Sequence, residues 1–145
     1  MTGRRPVPVR DDQSAPYWDG AARHQLVLAR CATCRRYTHP PDVLCPHCGS
    51  ADPGFEFTPV EGSGIIRSWT VMRQSFLPGF DDDLPFVLVD VELDVQPELR
   101  MIGRLVDGPD APLHLGAPVR LAFEDLAIGV AVPAFALEHP GGRGR

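Results

Sequence analysis

The sequence predicts a mainly β chain: a short N-terminal helix, a small cysteine ribbon, then a closed barrel of five strands. Three observations carry this. The 4 cysteines all lie between Cys31 and Cys48, in two C-x-x-C pairs. With 16 Pro and 14 Gly among 145 residues, the chain is interrupted too often for long helices. Between Ile65 and Leu137, apolar β-branched segments alternate with clusters of Gly, Pro and Asp, the pattern of short strands joined by turns.

Met1 to Gln13 is polar and charged, and is expected to be disordered or draped on a neighbour. Ser14 stands as the N-cap of a helix running to Gln25, with Pro16 in its first turn, where proline is tolerated. Tyr17, Trp18, Ala21 and Ala22 share one side of that helix. That side packs either on the chain's own core or on a partner. Leu26 to Arg30 reads as the first ribbon strand, Arg36 to Pro41 leads to the second cysteine pair, and Asp52-Pro53-Gly54 is a closing turn. Phe55 to Val60 leads into the barrel, with a bend or bulge at Glu61-Gly62-Ser63-Gly64. Barrel strands are expected at Ile65 to Met72, Pro85 to Leu93, Leu99 to Val106, Val119 to Phe123 and Ala131 to Leu137. Gly141 to Arg145 reads as a flexible tail. The resulting organisation is an arm and helix over residues 1–25, a ribbon over 26–58, a barrel over 59–138 and a tail over 139–145.

The cysteines read C-A-T-C and C-P-H-C-G. Each C-x-x-C turn presents two sulfurs to one ion, and two such turns complete a tetrahedron. Cys31, Cys34, Cys45 and Cys48 are therefore the expected metal ligands. Gly49 suits the tight turn after the second pair, whereas Arg35 stands where many such turns have glycine. Two disulfides would need an oxidising compartment, and the N-terminus lacks the apolar stretch of a signal peptide. Zinc is the expected ion; iron is the alternative, since a rubredoxin site uses the same four thiolates. Four thiolates leave no position for water or substrate, so the role is structural. Such a site supplies roughly 10–16 kcal/mol of apparent binding energy to folding. His39 and His47 lie nearby and read as surface histidines.

Formal net charge is −5, and every basic residue is Arg. From Pro59 to Glu138 there are 5 Arg against 13 Asp and Glu, a net of −8. Such a body is a poor partner for phosphate backbones. There is no apolar run near the roughly 18 residues of a membrane helix, and the expected location is the cytoplasm.

No catalytic constellation stands out: there is no G-x-S-x-G elbow, P-loop or glycine fingerprint before a helix. Metal-bound thiols are not free nucleophiles. Asp81-Asp82-Asp83 reads as a solvated loop, and Asp90 and Glu92 as the wet face of one strand. The chain is not expected to be catalytic alone; acid, base and nucleophile belong to a partner. The connection Arg73 to Leu84 carries Phe76, Leu77 and Phe80. They serve either as a contact surface or as a cover for one barrel end. Tyr17 and Trp18 are the other candidate partner contacts.

In order, the chain shows an aromatic pair (Tyr17, Trp18), L-x-L-x-R-C-x-x-C (Leu26 to Cys34), P-P (Pro40, Pro41) and C-P-x-C-G-S (Cys45 to Ser50). G-x-G-x-I-x-S-W-T-V (Gly62 to Val71), P-F-V-L-V-x-V-E-L (Pro85 to Leu93) and L-G-A-P-V-R-L-x-F (Leu115 to Phe123) follow. This ordered set resembles domain-of-unknown-function family 35, a rubredoxin-like zinc ribbon joined to an OB-fold. The resemblance covers about Ala15 to Glu138. It implies a five-stranded OB barrel and an accessory subunit of a hetero-oligomer. The partner implied is a thiolase-fold enzyme acting on acyl-CoA: a thiolase, an acyltransferase or a steroid side-chain aldolase. The subunit would support that enzyme and shape acyl-CoA access. Some members associate with a MaoC-like hydratase. The competing reading is a nucleic-acid-binding module, since zinc ribbons and OB-folds both serve that role. The acidic barrel, with its scattered arginines, disfavours it.

Overall fold

The computed structural model describes residues 4–138. The tail expected over 139–145 and the first three residues lie outside the described residues. Helix α1 (Ala15–Ala22) leads to β1 (Val27–Arg30), β2 (Tyr37–Thr38) and β3 (Glu56–Pro59). Five further strands follow: β4 (Ser63–Met72), β5 (Phe86–Leu93), β6 (Arg100–Leu105), β7 (Pro118–Ala127) and β8 (Val130–Leu137). Among the described residues, no helix is long and apolar enough to cross a membrane.

The helix begins after Ser14, as the sequence reading has it, but lacks the side-chain cap and ends earlier. Ser14 makes no side-chain cap. Its N–H and its Oγ instead donate to Asp11 Oδ1, at 2.7 and 2.6 Å. Ser14 keeps the N-cap position, held from upstream by the Asp11 carboxylate, whose pKa the Ser14 hydroxyl and amide hold down. The helix stops at Ala22 rather than Gln25 because His24 turns to φ 58. The amides of His24 and Gln25 then bond back to Ala21 O and Gly20 O at 2.8 and 2.9 Å, closing a Schellman-type end.

The ribbon is a three-stranded sheet in the order β2-β1-β3. The two-residue β2 was not legible as a strand; it exists because Ala29 and Arg30 pair with Thr38 and Tyr37. The lead-in segment Phe55 to Val60 becomes β3, which pairs along β1 from Val27↔Pro59 to Arg30↔Glu56.

The barrel closes in the order β4-β5-β6-β8-β7. Its pairs are antiparallel except β6 with β8, where Arg104 and Leu105 face Ala134 and Phe135 in parallel. This is the OB-fold circuit of five strands. Of the bend or bulge expected at Glu61 to Gly64, Ser63 and Gly64 instead start β4, and that strand's irregularity sits between Ile66 and Ser68. Gly64 lies at the seam, paired to Leu93 on one side and Val119 on the other. A Cβ there would stand 2.4 Å from Glu92 O and 2.6 Å from Val91 Cγ1, so only glycine lets the strands close this tightly. Between β6 and β7 no helix intervenes; Ala111, Leu113 and Ala117 pack against the core instead.

Strand β5 alternates with Val87, Val89, Val91 and Leu93 inside, as its sequence pattern required. These residues, with Ile66, Leu105, Val119 and Phe135, fill the barrel. The same cluster continues into Tyr17, Leu26, Leu28 and Tyr37, so helix, ribbon and barrel share one core.

Candidate metal centre and docking surfaces

Two similar turns build the metal centre. After β1, Cys31 N donates to Arg36 O and Arg35 N to Cys31 O, at 2.9 and 2.8 Å. In the second turn, Cys45 N donates to Ser50 O and Gly49 N to Cys45 O, at 3.1 and 2.9 Å. The residue after each second cysteine is left-handed: Arg35 at φ 66 and Gly49 at φ 77. The first turn therefore has the shape of the second despite lacking glycine. The strain at Arg35 is on the order of 1–3 kcal/mol. Its side chain is tied to Glu56 at 2.8 Å, and its carbonyl accepts Arg30 Nε at 2.6 Å.

The four Sγ atoms lie within 4.8 Å of one another. Across the turns, Cys31–Cys48 is 3.9 Å and Cys34–Cys45 is 3.7 Å. A tetrahedron with metal–sulfur bonds of 2.3 Å has edges of about 3.8 Å, whereas a disulfide needs about 2.05 Å. The sulfurs fit an ion between them. Electrostatics agree. The Cys34 amide is the first of several donors that lower the Cys31 thiol to about 6. The Cys48 amide, chiefly, lowers Cys45. At Cys48 the Ser50 amide pulls downward, but burial and the neighbouring sulfurs outweigh it and raise the thiol to about 11. Four thiolates this close need a cation to coexist.

Neither nearby histidine joins this cluster. His47 Nε2 bonds Tyr37 O at 2.9 Å. His39 is half-buried rather than on the surface. Its ring lies 4.8 Å from Tyr17, and burial lowers its pKa.

The candidate docking residues fall into two groups. Tyr17 is buried in the chain's own core, and burial pushes its hydroxyl up to about 12. Trp18 meets it edge-on at 4.8 Å. Both line a cavity of about 330 Å³ with His39, Pro40, Pro41 and Phe57. In the β4–β5 connection, Phe76 is 84% exposed and Leu77 54% exposed. Phe80 turns inward onto Phe86, with ring centroids 5.9 Å apart. The loop thus presents two apolar side chains and uses the third to hold itself.

The acidic run forms a single 3-10 turn, Asp81–Asp83. Asp83 is not simply solvated: it pairs with Arg5, and with Arg104 at 3.2 Å. Asp90 and Glu92 take Arg100 and Arg67 at 2.6 and 2.7 Å. The Glu98 amide, ahead of Arg67, holds the Glu92 carboxyl below its usual range. Sequence reasoning missed two residues, Arg5 and Gln96. The buried Gln96 accepts from Tyr37 N–H at 2.8 Å and donates to Tyr37 O at 2.9 Å, joining the β5–β6 turn to the ribbon.

Comparison with known proteins agrees with this architecture. Residues 18–54 match the rubredoxin-like zinc ribbon domain of ChsH2, and residues 57–124 match the ChsH2 C-terminal OB-fold domain. A probable enoyl-CoA hydratase alpha subunit of Thermomonospora curvata is 31% identical over 131 residues, covering 90% of this chain and 39% of that protein. The 3-oxo-4,17-pregnadiene-20-carboxyl-CoA hydratase alpha subunit of Mycobacterium tuberculosis is 32% identical over 121 residues, covering 83% and 36%. The chain thus spans less than two fifths of the length of these relatives. Among solved structures, a chain of the Ltp2-ChsH2(DUF35) aldolase superposes with TM-score 0.76 at 30% identity, covering 90% of this chain and 98% of that one. A family-35 protein of unknown function from Sulfolobus solfataricus shares the fold, with TM-score 0.56 at 11% identity over 88% and 86%. The four-sulfur ribbon, the OB circuit and these matches lead to one conclusion: the chain belongs to the ChsH2 group of domain-of-unknown-function family 35.

Proposed function

We propose that this chain is the non-catalytic zinc-ribbon and OB-fold subunit of a cytoplasmic, thiolase-like acyl-CoA enzyme. The partner would be a thiolase, an acyltransferase or a steroid side-chain aldolase, with a hydratase-like protein as a second candidate. The observation that carries this is the likeness to the Ltp2-ChsH2(DUF35) aldolase over nearly the whole of that chain. Zinc would occupy the four-sulfur site as a structural ion, its coordination filled by Cys31, Cys34, Cys45 and Cys48. The exposed pair Phe76 and Leu77 would supply the main contact, with Trp18 at the edge of its cavity as a second. Tyr17 and Phe80 support them from behind. Large apolar side chains held on a loop tip are what a partner pocket recognises.

The face of β5 and β6, the side on which OB-folds take ligands, speaks for a protein partner rather than nucleic acid. Asp83 and Glu124 stand there, already engaged by Arg5 and Arg104. A phosphate backbone would meet carboxylates where it needs free cations.

Tagged protein recovered from its host should bring down a thiolase-like or hydratase-like enzyme. Recovery of salt-sensitive nucleic acid in its place would overturn the reading. The double variant Phe76→Ala, Leu77→Ala should weaken binding to the recovered enzyme by roughly 30-fold, about 2 kcal/mol, without changing the melting temperature. Calorimetric titration measures the first and thermal denaturation the second. Unchanged affinity would remove this loop from the interface.

A further inference from the structure

OB-folds take their ligands on the face of their second and third strands, between the first long loop and the last hairpin. Here these are β5, β6, the 73–85 connection and the β7–β8 turn, and a segment of the chain itself lies across them. Arg5, Pro6, Val7 and Pro8 line a cavity of about 480 Å³ whose floor includes Leu88 and Ile102. Further along, Arg10 grips Asp19 of α1 through Nε and Nη2, at 2.8 and 3.0 Å.

Arg5 is fitted into this face. Its Nε donates to Gly79 O at 2.9 Å and its Nη1 to Glu124 Oε2 at 2.6 Å. Its Nη2 pairs with Asp83, and its guanidinium lies 4.6 Å from the Phe80 ring centroid. The side chain is 17% exposed. The loop leaves room for it: Gly79 sits at φ 85, and a Cβ there would stand 2.5 Å from Arg5 N and 2.7 Å from Arg5 Cγ. Arg104 braces the same carboxylates and lies 5.0 Å from the Phe86 ring centroid.

Three of these four partners, Gly79, Phe80 and Asp83, belong to the loop whose apex carries Phe76 and Leu77. That apex has no regular backbone structure, apart from Ser75 Oγ bonding Leu77 N and O at 3.2 and 3.3 Å. Ordering such a loop during binding would cost conformational entropy. A planar fork that ties a carbonyl and two carboxylates does that ordering in advance.

We propose that the N-terminal arm is a built-in ligand of the OB face, and that Arg5 is the clasp holding Phe76 and Leu77 in the shape a partner recognises. Arm and loop then form one interaction surface. Asp82 is exposed in the same connection as the two apolar side chains, so the surface fits an enzyme patch that is apolar with a cationic rim. This rests on the proposed docking role of the loop; Arg5 itself is a positioning residue.

The test uses the full chain and the enzyme it co-purifies with. Arg5→Ala should raise the rate of chymotrypsin cleavage after Phe76 or Phe80 at least tenfold, with metal content and melting temperature unchanged. Arg5→Lys keeps the charge but not the fork and should recover only part of the protection. Arg5→Ala should also lower partner affinity about tenfold. Its effect and that of Phe76→Ala should be strongly non-additive, since both act through the loop apex. Wild-type cleavage rates in Arg5→Ala would overturn the clasp, whatever the partner does. Faster cleavage with unchanged affinity, or with additive effects, would overturn the shared surface. In that case a loss of affinity from Phe76→Ala alone would leave the docking role of the loop standing.

Discussion

Cys45→Ser is expected to abolish metal binding at the four-sulfur site and unfold the ribbon. Cys45 is fully buried, 1% exposed, beside the equally buried Cys31. Its sulfur sits 3.7 Å from Cys34, so a serine oxygen there can replace neither the soft ligand nor the volume. Structural four-thiolate zinc contributes roughly 10–16 kcal/mol of apparent binding energy. A domain's entire net stability is about 5–15 kcal/mol. The ribbon has little else to hold it: β2 is two residues long, and the second cysteine turn contains no strand. Because Leu26, Leu28 and Tyr37 belong to the barrel's own core cluster, losing the ribbon uncovers one side of the barrel. The variant should therefore retain no stoichiometric zinc by elemental analysis and should lose near-ultraviolet dichroism. It should also elute as aggregate and fail to bring down its partner. Chelating the metal from wild-type protein should give the same species. A metal-free chain that still assembled with full activity would make the site dispensable, and the argument from ligand saturation to a structural role would fail.

What the sequence made legible was whatever has a short period or a fixed spacing. Two C-x-x-C pairs predict a sulfur tetrahedron because each turn sets its own geometry. The run Pro85 to Leu93 predicts β5 because alternation is read within one strand. The strands after Gly62 were placed to within a few residues for the same reason. What escaped was non-local. Arg5 reaches Gly79 and Glu124, 74 and 119 residues away, so nothing near it announces that the arm is anchored. Tyr37–Thr38 becomes a strand only through its partner β1. Arg35 adopts a left-handed turn that its own preference opposes, because the metal-binding turn imposes it. Ser14 holds the N-cap position without a side-chain cap because its hydroxyl donates to the Asp11 carboxylate instead of turning to the helix amides. Of the expected loop contacts, Phe76 and Leu77 are exposed while Phe80 is not; only the fold reveals that Arg5 and Phe86 sandwich it.

Gln96→Leu should loosen the joint between ribbon and barrel and cost about 2–4 kcal/mol, from two lost hydrogen bonds and a stranded Tyr37 N–H. The site is one residue of the β5–β6 turn, 9% exposed, facing a ribbon backbone 59 residues earlier. Tyr37 O keeps its bond to His47, whereas the Tyr37 amide relies on Gln96 Oε1. Chemical denaturation should show the loss as a lower midpoint. Hydrogen exchange should localise it to Tyr37 and its neighbours, with the amides of β5 and β6 still protected. Gln96→Glu separates the joint from mere filling of space. As a carboxylic acid, glutamate reproduces both bonds: its carbonyl accepts from Tyr37 N–H and its hydroxyl donates to Tyr37 O. As a carboxylate it sets an anion against that carbonyl and loses the donor. The neutral form is favoured in the folded state, so the folded pKa is raised above the unfolded value of about 4.3. Stability from this group is then fully present below pH ~4.3 and is lost as pH rises through the folded pKa. The difference in stability between Gln96→Glu and wild type should therefore widen from pH 4 to pH 7, while that between Gln96→Leu and wild type stays flat. Parallel curves for the two variants would mean that Gln96 only fills volume, and the hydrogen-bonded joint would have to be abandoned.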